Sequence, residues 1–455
     1  MPSVDGQAGA MTVSSAQRTY ELDRQHVFHS WSAQATLQPM VVTKAEGCRF
    51  WDADDNSYLD FSSQLVFTNI GHQHPKVVAA IQEQAATLCT IAPQHANDAR
   101  SEAARLVAEI APAGLDHVFF TNGGAEAIEH AVRMARLHTG RIKVLTRYRS
   151  YHGGTNTAVN LTGDPRRWPS DYGSAGAVKF FGPFLYRSEF DATTEEEECE
   201  RALRHLRRTV ELEGPGTIAA IVLETIPGTA GIMPPPPGYL QGVREICDDH
   251  GIVMVLDEVM AGFGRTGSWL ALDLYDVTPD LITFAKGVTS GYVPLGGVVI
   301  SGAIYETFGQ RVYPGGLTYS GHPLACATAV ATIGAMRDEG MVENAARIGR
   351  DVLGPGLREL AERHPCVGDV RGTGVFWALD LVADKATKEP LAPYGASSPA
   401  MNEVLAACRK GGMLPFANFN RIHMVPPCPI SDDEAKEGLA VLDAALSVGD
   451  AHAAG

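Results

Sequence analysis

Apolar residues along the middle of the chain follow two alternating rhythms. Runs at 117–120, 143–147, 217–224, 251–257, 281–285 and 297–301 are mostly continuous in apolar residues. Short continuous runs of this kind predict strands buried on both faces of a parallel sheet. Between them, apolar residues return every three or four positions, the period of a helix with one buried face. The segment 125–139 shows it best: Ala127, Ile128, Ala131, Val132 and Ala135 form a stripe, and Gly140 is placed as a C-terminal cap. Strand and helix in alternation predict an α/β domain with a mostly parallel sheet flanked by helices, over residues 61–325.

The ends of the chain read differently. Residues 40–60 predict a hairpin turning at Asp54-Asp55-Asn56-Ser57. After about residue 326 come two long helical patterns, short strands near 370–380 and 421–425, and a last helix from Asp432. A smaller α+β domain over 326–455 follows, with the segment 1–60 packing beside it in space. The run of four glutamates, Glu195 to Glu198, predicts a solvated helix start, since acids favour the first turn. Pro234 to Pro237 predict a stiff connection.

Composition narrows the class. Of 455 residues, 45% are hydrophobic and 20% charged, the balance of a globular protein rather than a disordered one. No stretch approaches the roughly 20 apolar residues of a membrane span. The formal charge of -16 argues against binding a nucleic-acid backbone, which needs Lys and Arg. The 8 cysteines are scattered, with no C-x-x-C pair and no zinc spacing, so neither a metal nor a disulfide framework is expected. That usage, and an N-terminus without a signal segment, predict a cytoplasmic protein with a flexible leader (1–15) and tail (450–455).

Candidate chemistry begins with a misleading motif. Gly262-Phe263-Gly264-Arg265-Thr266-Gly267 matches the dinucleotide pattern G-x-G-x-x-G. The preceding strand stops near Asp257, no long helix follows, and no acid ends a strand about 20 residues on. A tight glycine-rich loop is the better reading than a nicotinamide site. Thr121-Asn122-Gly123-Gly124-Ala125-Glu126-Ala127 is more useful, because it joins a strand to a helix. Its glycines let a ligand approach free N–H groups at a helix start, which favours an anion such as phosphate. Asp257 and Lys286 each end an apolar strand, at the carboxyl edge where open α/β sheets bind ligands. They could form a simple salt bridge there. With the anion site, they could equally be the three anchors of pyridoxal phosphate.

Four motifs settle the reading. Val255-Leu256-Asp257-Glu258-Val259 leads into the glycine-rich loop, and Ala285-Lys286-Gly287-Val288-Thr289-Ser290-Gly291-Tyr292 follows. Thr318-Tyr319-Ser320-Gly321-His322-Pro323 and Tyr151-His152-Gly153 complete the set. Together they resemble the class III aminotransferases, pyridoxal-phosphate enzymes of fold-type I, from about Tyr20 to Leu446.

The resemblance implies a role for each matching residue. Lys286 would hold the cofactor as an imine and then shuttle the proton, and Asp257 would pair with the pyridinium nitrogen. Gly123, Gly124 and Ala125 would receive the phosphate, completed by Thr318 from a second subunit of a homodimer. Tyr151 and Val259 would cover the ring, with His152 and Glu224 beside the cofactor. Thr225 follows Glu224 where the family usually has Pro, which leaves that glutamate's role open. A lysine working near neutral pH must be shifted down by roughly 2–3 units, about 3–4 kcal/mol, which requires burial.

For substrate, Trp31, Leu65, Val66, Tyr151 and Trp168 fall where the family lines its pocket, and Arg421 falls near an anion-binding arginine. The stretches at 62–65, 69–75 and 163–168 are similar to the branch acting on taurine and other ω-amino acids, with Arg166 or Arg167 as the cation for a distal anion. The expectation is ping-pong transfer from such a donor to pyruvate or 2-oxoglutarate, through the pyridoxamine form of the cofactor. An aminomutase or racemase of the same fold would share Lys286 and Asp257 but need no keto acid. A nicotinamide oxidoreductase would be colourless as purified.

Overall fold

The computed structural model describes residues 13–170, 173 and 176–454. The leader expected over 1–15 lies mostly outside the described residues; from Val13 a helix runs to His26. Strands follow as β1 (Val42–Glu46), β2 (Arg49–Asp52), β3 (Ser57–Phe61), β4 (His117–Thr121), β5 (Lys143–Arg147), β6 (Ala177–Phe180) and β7 (Ile218–Glu224). Then come β8 (Val253–Asp257), β9 (Leu281–Phe284), β10 (Gly296–Ile300), β11 (Val367–Thr373), β12 (Phe376–Asp384), β13 (Glu389–Pro390), β14 (Met413–Asn418) and β15 (Arg421–Met424).

Two sheets result. One, of seven strands, has the order β4-β10-β9-β8-β7-β5-β6. Neighbours from β9 through β6 pair in parallel, whereas β10 runs antiparallel to both β9 and β4. All seven residues of β7 and all five of β8 are buried, which explains their unbroken apolar runs. The second sheet has the order β1-β2-β3-β14-β15-β12-β11, so the N-terminal strands join the C-terminal ones through a parallel β3–β14 pair.

Several expectations change in detail. Residues 40–60 form three antiparallel strands, not one hairpin, and the Asp52 carboxylate accepts the N–H groups of Asp54 and Asn56 to close the second turn. Strand β6 was not expected; its four residues, Ala177 to Phe180, give too short a signal. The tail is tied down: Asp450 accepts from His364 at 2.7 Å, and the Ala454 N–H donates to the Ala383 carbonyl. The helix Gly124–Thr139 forms as its stripe predicts, with Gly140 left-handed at φ 69°. Thr194 caps the helix Glu195–Glu213, but Glu198 is buried, accepting from the Phe184 N–H and the Ser188 hydroxyl. No helix among the described residues is long and apolar enough to cross a membrane.

Candidate active site

Because β10 is antiparallel to both its neighbours, β4 points the same way as β5, β7, β8 and β9. Five carboxyl ends therefore converge at one edge, the side on which open α/β sheets bind ligands. A cavity of about 400 Å³ lies there. Its wall takes Gly124 after β4, Tyr151 and His152 after β5, Glu224 from β7, Asp257 from β8 and Lys286 after β9.

Register sets the carboxylates side by side: Glu224 pairs with Asp257 across β7 and β8. Each is then spoken for. Asp257 Oδ2 lies 2.7 Å from His152 Nδ1, and Asp257 Oδ1 accepts the Val259 N–H at 3.0 Å. Burial opposes a charge on His152, yet the hydrogen bond to Asp257 and its negative charge outweigh it and raise the imidazole pKa above its usual value. Glu224 accepts the N–H groups of Tyr151 and Gly228 at 2.9 and 2.8 Å. Burial raises its pKa, with Asp257 adding to the rise and His152 opposing it. Thr225, the unusual residue, donates its hydroxyl to Glu258 at 2.7 Å, beneath the site.

Lys286 sits at φ 46°, a left-handed conformation that an ordinary side chain occupies only when its surroundings enforce it. Burial pulls its pKa down to about 8; Asp257 and Glu224 resist that fall, while Arg166 and Arg265 assist it. A nucleophilic amine is thus partly unprotonated near neutral pH.

The helix start opposite is open to an anion. Gly123 precedes the helix in an extended conformation with no side-chain cap, leaving first-turn N–H groups to face the cavity. Close approach explains the glycine at 124, where a Cβ would lie 2.9 Å from Val259 Cγ1. At Gly153, φ is +134° and a Cβ would meet that of Ala125 at 2.5 Å. By contrast, the G-x-G-x-x-G segment has a structural role. Arg265 in its centre is buried and donates to the Val425 and Pro426 carbonyls and to Asn69, joining the two sheets.

The structure thus brings together Gly123, Gly124, Ala125, Tyr151, His152, Glu224, Asp257, Val259 and Lys286. Other expected residues stand apart. Thr318 is exposed, Trp31 is 68% exposed, and Leu65 and Trp168 are also exposed. Val66 is buried in an apolar cluster with Ile226 and Met260. Arg421 is buried and donates to the Ala230 and Asn418 carbonyls, away from the cavity. Arg166 stacks on Tyr151 with its guanidinium carbon 3.5 Å from the ring centroid and pairs with Asp164. Arg167 lines a different cavity. Phe67, the last residue of the stretch 63–67 expected to line the pocket, does line the site, and so do Met260, Thr289 and Leu295, which were not singled out. Thr289 lies within the motif 285–292; Met260 and Leu295 carry no sequence signal of their own.

Comparison with known proteins agrees with this geometry. The family model described as aminotransferase class-III matches residues 31–446. A taurine–pyruvate aminotransferase of Rhodobacter capsulatus is 34% identical over 93% of this chain and 95% of its own length. A putrescine–pyruvate aminotransferase of Pseudomonas aeruginosa is 34% identical over 87% of this chain and 88% of its own. Among solved structures, the taurine:2-oxoglutarate aminotransferase from Bifidobacterium kashiwanohense superposes with a TM-score of 0.93. It is 40% identical, covering 96% of this chain and 98% of that one.

Proposed function

This chain belongs to the class III aminotransferases, pyridoxal-phosphate enzymes that move amino groups, and from that premise we propose that its donor is an ω-amino acid carrying a distal anion, such as taurine or β-alanine. The acceptor is pyruvate or 2-oxoglutarate. The residues present fit the cofactor: a half-buried amine with a depressed pKa, a buried carboxylate, and a helix start whose cradle a Cβ at Gly124 would fill. When bound, pyridoxal phosphate supplies an aldehyde for the amino group and an electron-withdrawing ring.

The chain's own groups do the rest. Lys286 Nζ, depressed by burial, takes the proton from the carbon bearing the amino group and later returns one. Asp257, fixed by His152 and the Val259 N–H, holds a negative charge for the pyridinium nitrogen. The first-turn N–H groups at Gly124 and Ala125 hold the phosphate. Glu224 holds the backbone of Tyr151, which keeps that ring at the cavity wall. Residues 61–325 form the cofactor-binding domain of this reading, with 1–60 and 326–455 completing the smaller one. Thr318 serves the site of a second subunit in a homodimer, in keeping with its exposure and that of Trp31.

The observation that carries the substrate class is Arg166, a cation stacked on the cavity residue Tyr151 and held there by Asp164. It supplies the charge that a sulfonate or carboxylate needs. The test compares taurine, β-alanine and 1-phenylethylamine, each with pyruvate or 2-oxoglutarate. The two anionic donors turn over with a keto acid, and Arg166→Gln raises their KM at least about tenfold while leaving the uncharged amine unaffected. Preference for 1-phenylethylamine with no effect of Arg166→Gln overturns the donor assignment. Turnover without any keto acid overturns transamination in favour of an aminomutase or racemase.

A further inference from the structure

Behind the turn that carries Tyr151 and His152 into the active site lies a second cavity of about 300 Å³. Among the described residues, Arg147, Arg149, Arg187 and Glu189 are part of its lining. Arg149 is 3.6 Å from Glu189, a loose pairing.

Arg147 is the decisive residue. It is 3% exposed, yet among the described residues no carboxylate forms an ion pair with it. Its guanidinium donates only to the Tyr148 and Pro183 carbonyls, at 3.2 and 3.3 Å. The carboxylates whose charge reaches it, Glu224 and Glu198, spend their oxygens on other donors. Burying a cation without an anion is costly, and folded proteins pair such groups. The guanidinium is also built into place: a Cβ on Gly182 would lie 2.5 Å from both Cζ and Nε of Arg147. Arg187 adds an unspent donor, since its Nη2 is buried and has no partner, and Asp380 approaches only its Nε, at 3.8 Å.

The walls are aromatic. Tyr148 and Phe181 pack with centroids 5.2 Å apart, Trp168 and Tyr394 at 6.4 Å, and Phe184 lies beneath Arg149. Flat apolar faces around a ring of arginines select a ligand with a planar body and an acidic head.

We propose that this cavity is a second binding site, separate from the catalytic one, for a planar organic anion: a carboxylate, sulfonate or phosphate on an aromatic body. Its head group would meet Arg147 and Arg187, and its ring would lie among Tyr148, Trp168 and Phe181. The cavity shares no lining residue with the active site. The two are joined by the turn 147–152, in which the Ser150 hydroxyl donates to the Arg147 carbonyl and accepts the Gly163 N–H.

Titration calorimetry of the cofactor-loaded enzyme with phenyl phosphate, and with benzyl alcohol as the uncharged control, tests the proposal. Phenyl phosphate binds and benzyl alcohol does not. Arg187→Gln, on the rim, weakens phenyl phosphate at least about tenfold, the scale of one lost charge-assisted contact. Arg147→Gln does the same, and the rim variant stands as the test if that buried change prevents folding. Arg166→Gln, beside the catalytic cavity, leaves the affinity within about threefold. The proposal fails if phenyl phosphate shows no heat of binding at millimolar concentration. It fails equally if Arg166→Gln abolishes binding while Arg187→Gln does not, because the probe then sits in the active site. Binding of benzyl alcohol as tight as that of phenyl phosphate also overturns it.

Discussion

Asp257→Asn isolates the charge at the centre of the site. The carboxylate is 4% exposed and makes two hydrogen bonds, to His152 Nδ1 at 2.7 Å and from the Val259 N–H at 3.0 Å. A carboxamide has the same shape but offers one acceptor oxygen and one donor nitrogen. Its oxygen keeps the Val259 N–H, and its amide then faces His152 Nδ1, which must become the acceptor. The imidazole can do this as the neutral ring that burial already favours, so an ionic pair becomes a neutral one with no orphaned group. The stability cost is about 1–2 kcal/mol, and the fold survives. What disappears is the anion for the cofactor's ring nitrogen. Loss of one such preorganised electrostatic contact costs about 3–4 kcal/mol of barrier, or about 10²–10³ in kcat. The assay is donor turnover at saturating keto acid, with cofactor occupancy measured on the same sample and thermal unfolding run alongside. Turnover within tenfold of wild type at full occupancy would falsify the role given to Asp257.

Other perturbations probe the supporting structure. Gly124→Ala puts a Cβ 2.9 Å from Val259 Cγ1, so Val259 must yield and the anion cradle narrows; the purified protein should lose pyridoxal phosphate on dialysis faster than wild type. Lys286 has its pKa lowered from 10.5 to about 8, so its contribution to stability is complete above 10.5 and is lost as pH falls through 8. Cofactor-free Lys286→Met is therefore more stable than wild type at pH 7, by up to about 3 kcal/mol, and the gap closes above pH 10.5. A gap that widens with rising pH has the wrong sign and rejects the depressed lysine. Glu198→Ala strands the half-buried Phe184 N–H and costs about 1–2 kcal/mol in thermal unfolding, whereas Glu195→Ala at the exposed start of that helix costs at most about 1 kcal/mol.

The parts of the fold legible in the sequence are those where one segment carries its own signal. β7 and β8 are buried along their whole length, so burial on both faces writes itself as an unbroken apolar run. The helix Gly124–Thr139 has both a stripe and a glycine stop. Direction is different: β10 reads like its neighbours, because an antiparallel strand buried between two others has the same composition as a parallel one. Glu198 shows the same limit. Nothing distinguishes it from Glu195, Glu196 and Glu197 except helical phase, which turns it towards Phe184 and Ser188. Arg421 was expected at the substrate; its position in β15 instead aims it at the Ala230 carbonyl, a contact 191 residues away in sequence.

The same reasoning explains why the residues proposed for the cofactor meet in one cavity and most of those proposed for the substrate do not. Asp257, Lys286 and Gly124 lie at strand ends or a helix start, so the sheet alone brings them to one edge. Their positions follow from secondary structure. Trp31, Leu65 and Thr318 lie on segments outside the sheets, and all three are exposed in the single chain. Large apolar side chains left in water, such as Phe28 at 85% and Trp31 at 68%, have an energetic reason to be covered. A subunit face placed over them would cover them, a meeting that no single segment of the sequence encodes. Arg166 is the exception, since Asp164 two residues earlier holds it against Tyr151, and a contact that local is one the sequence could propose.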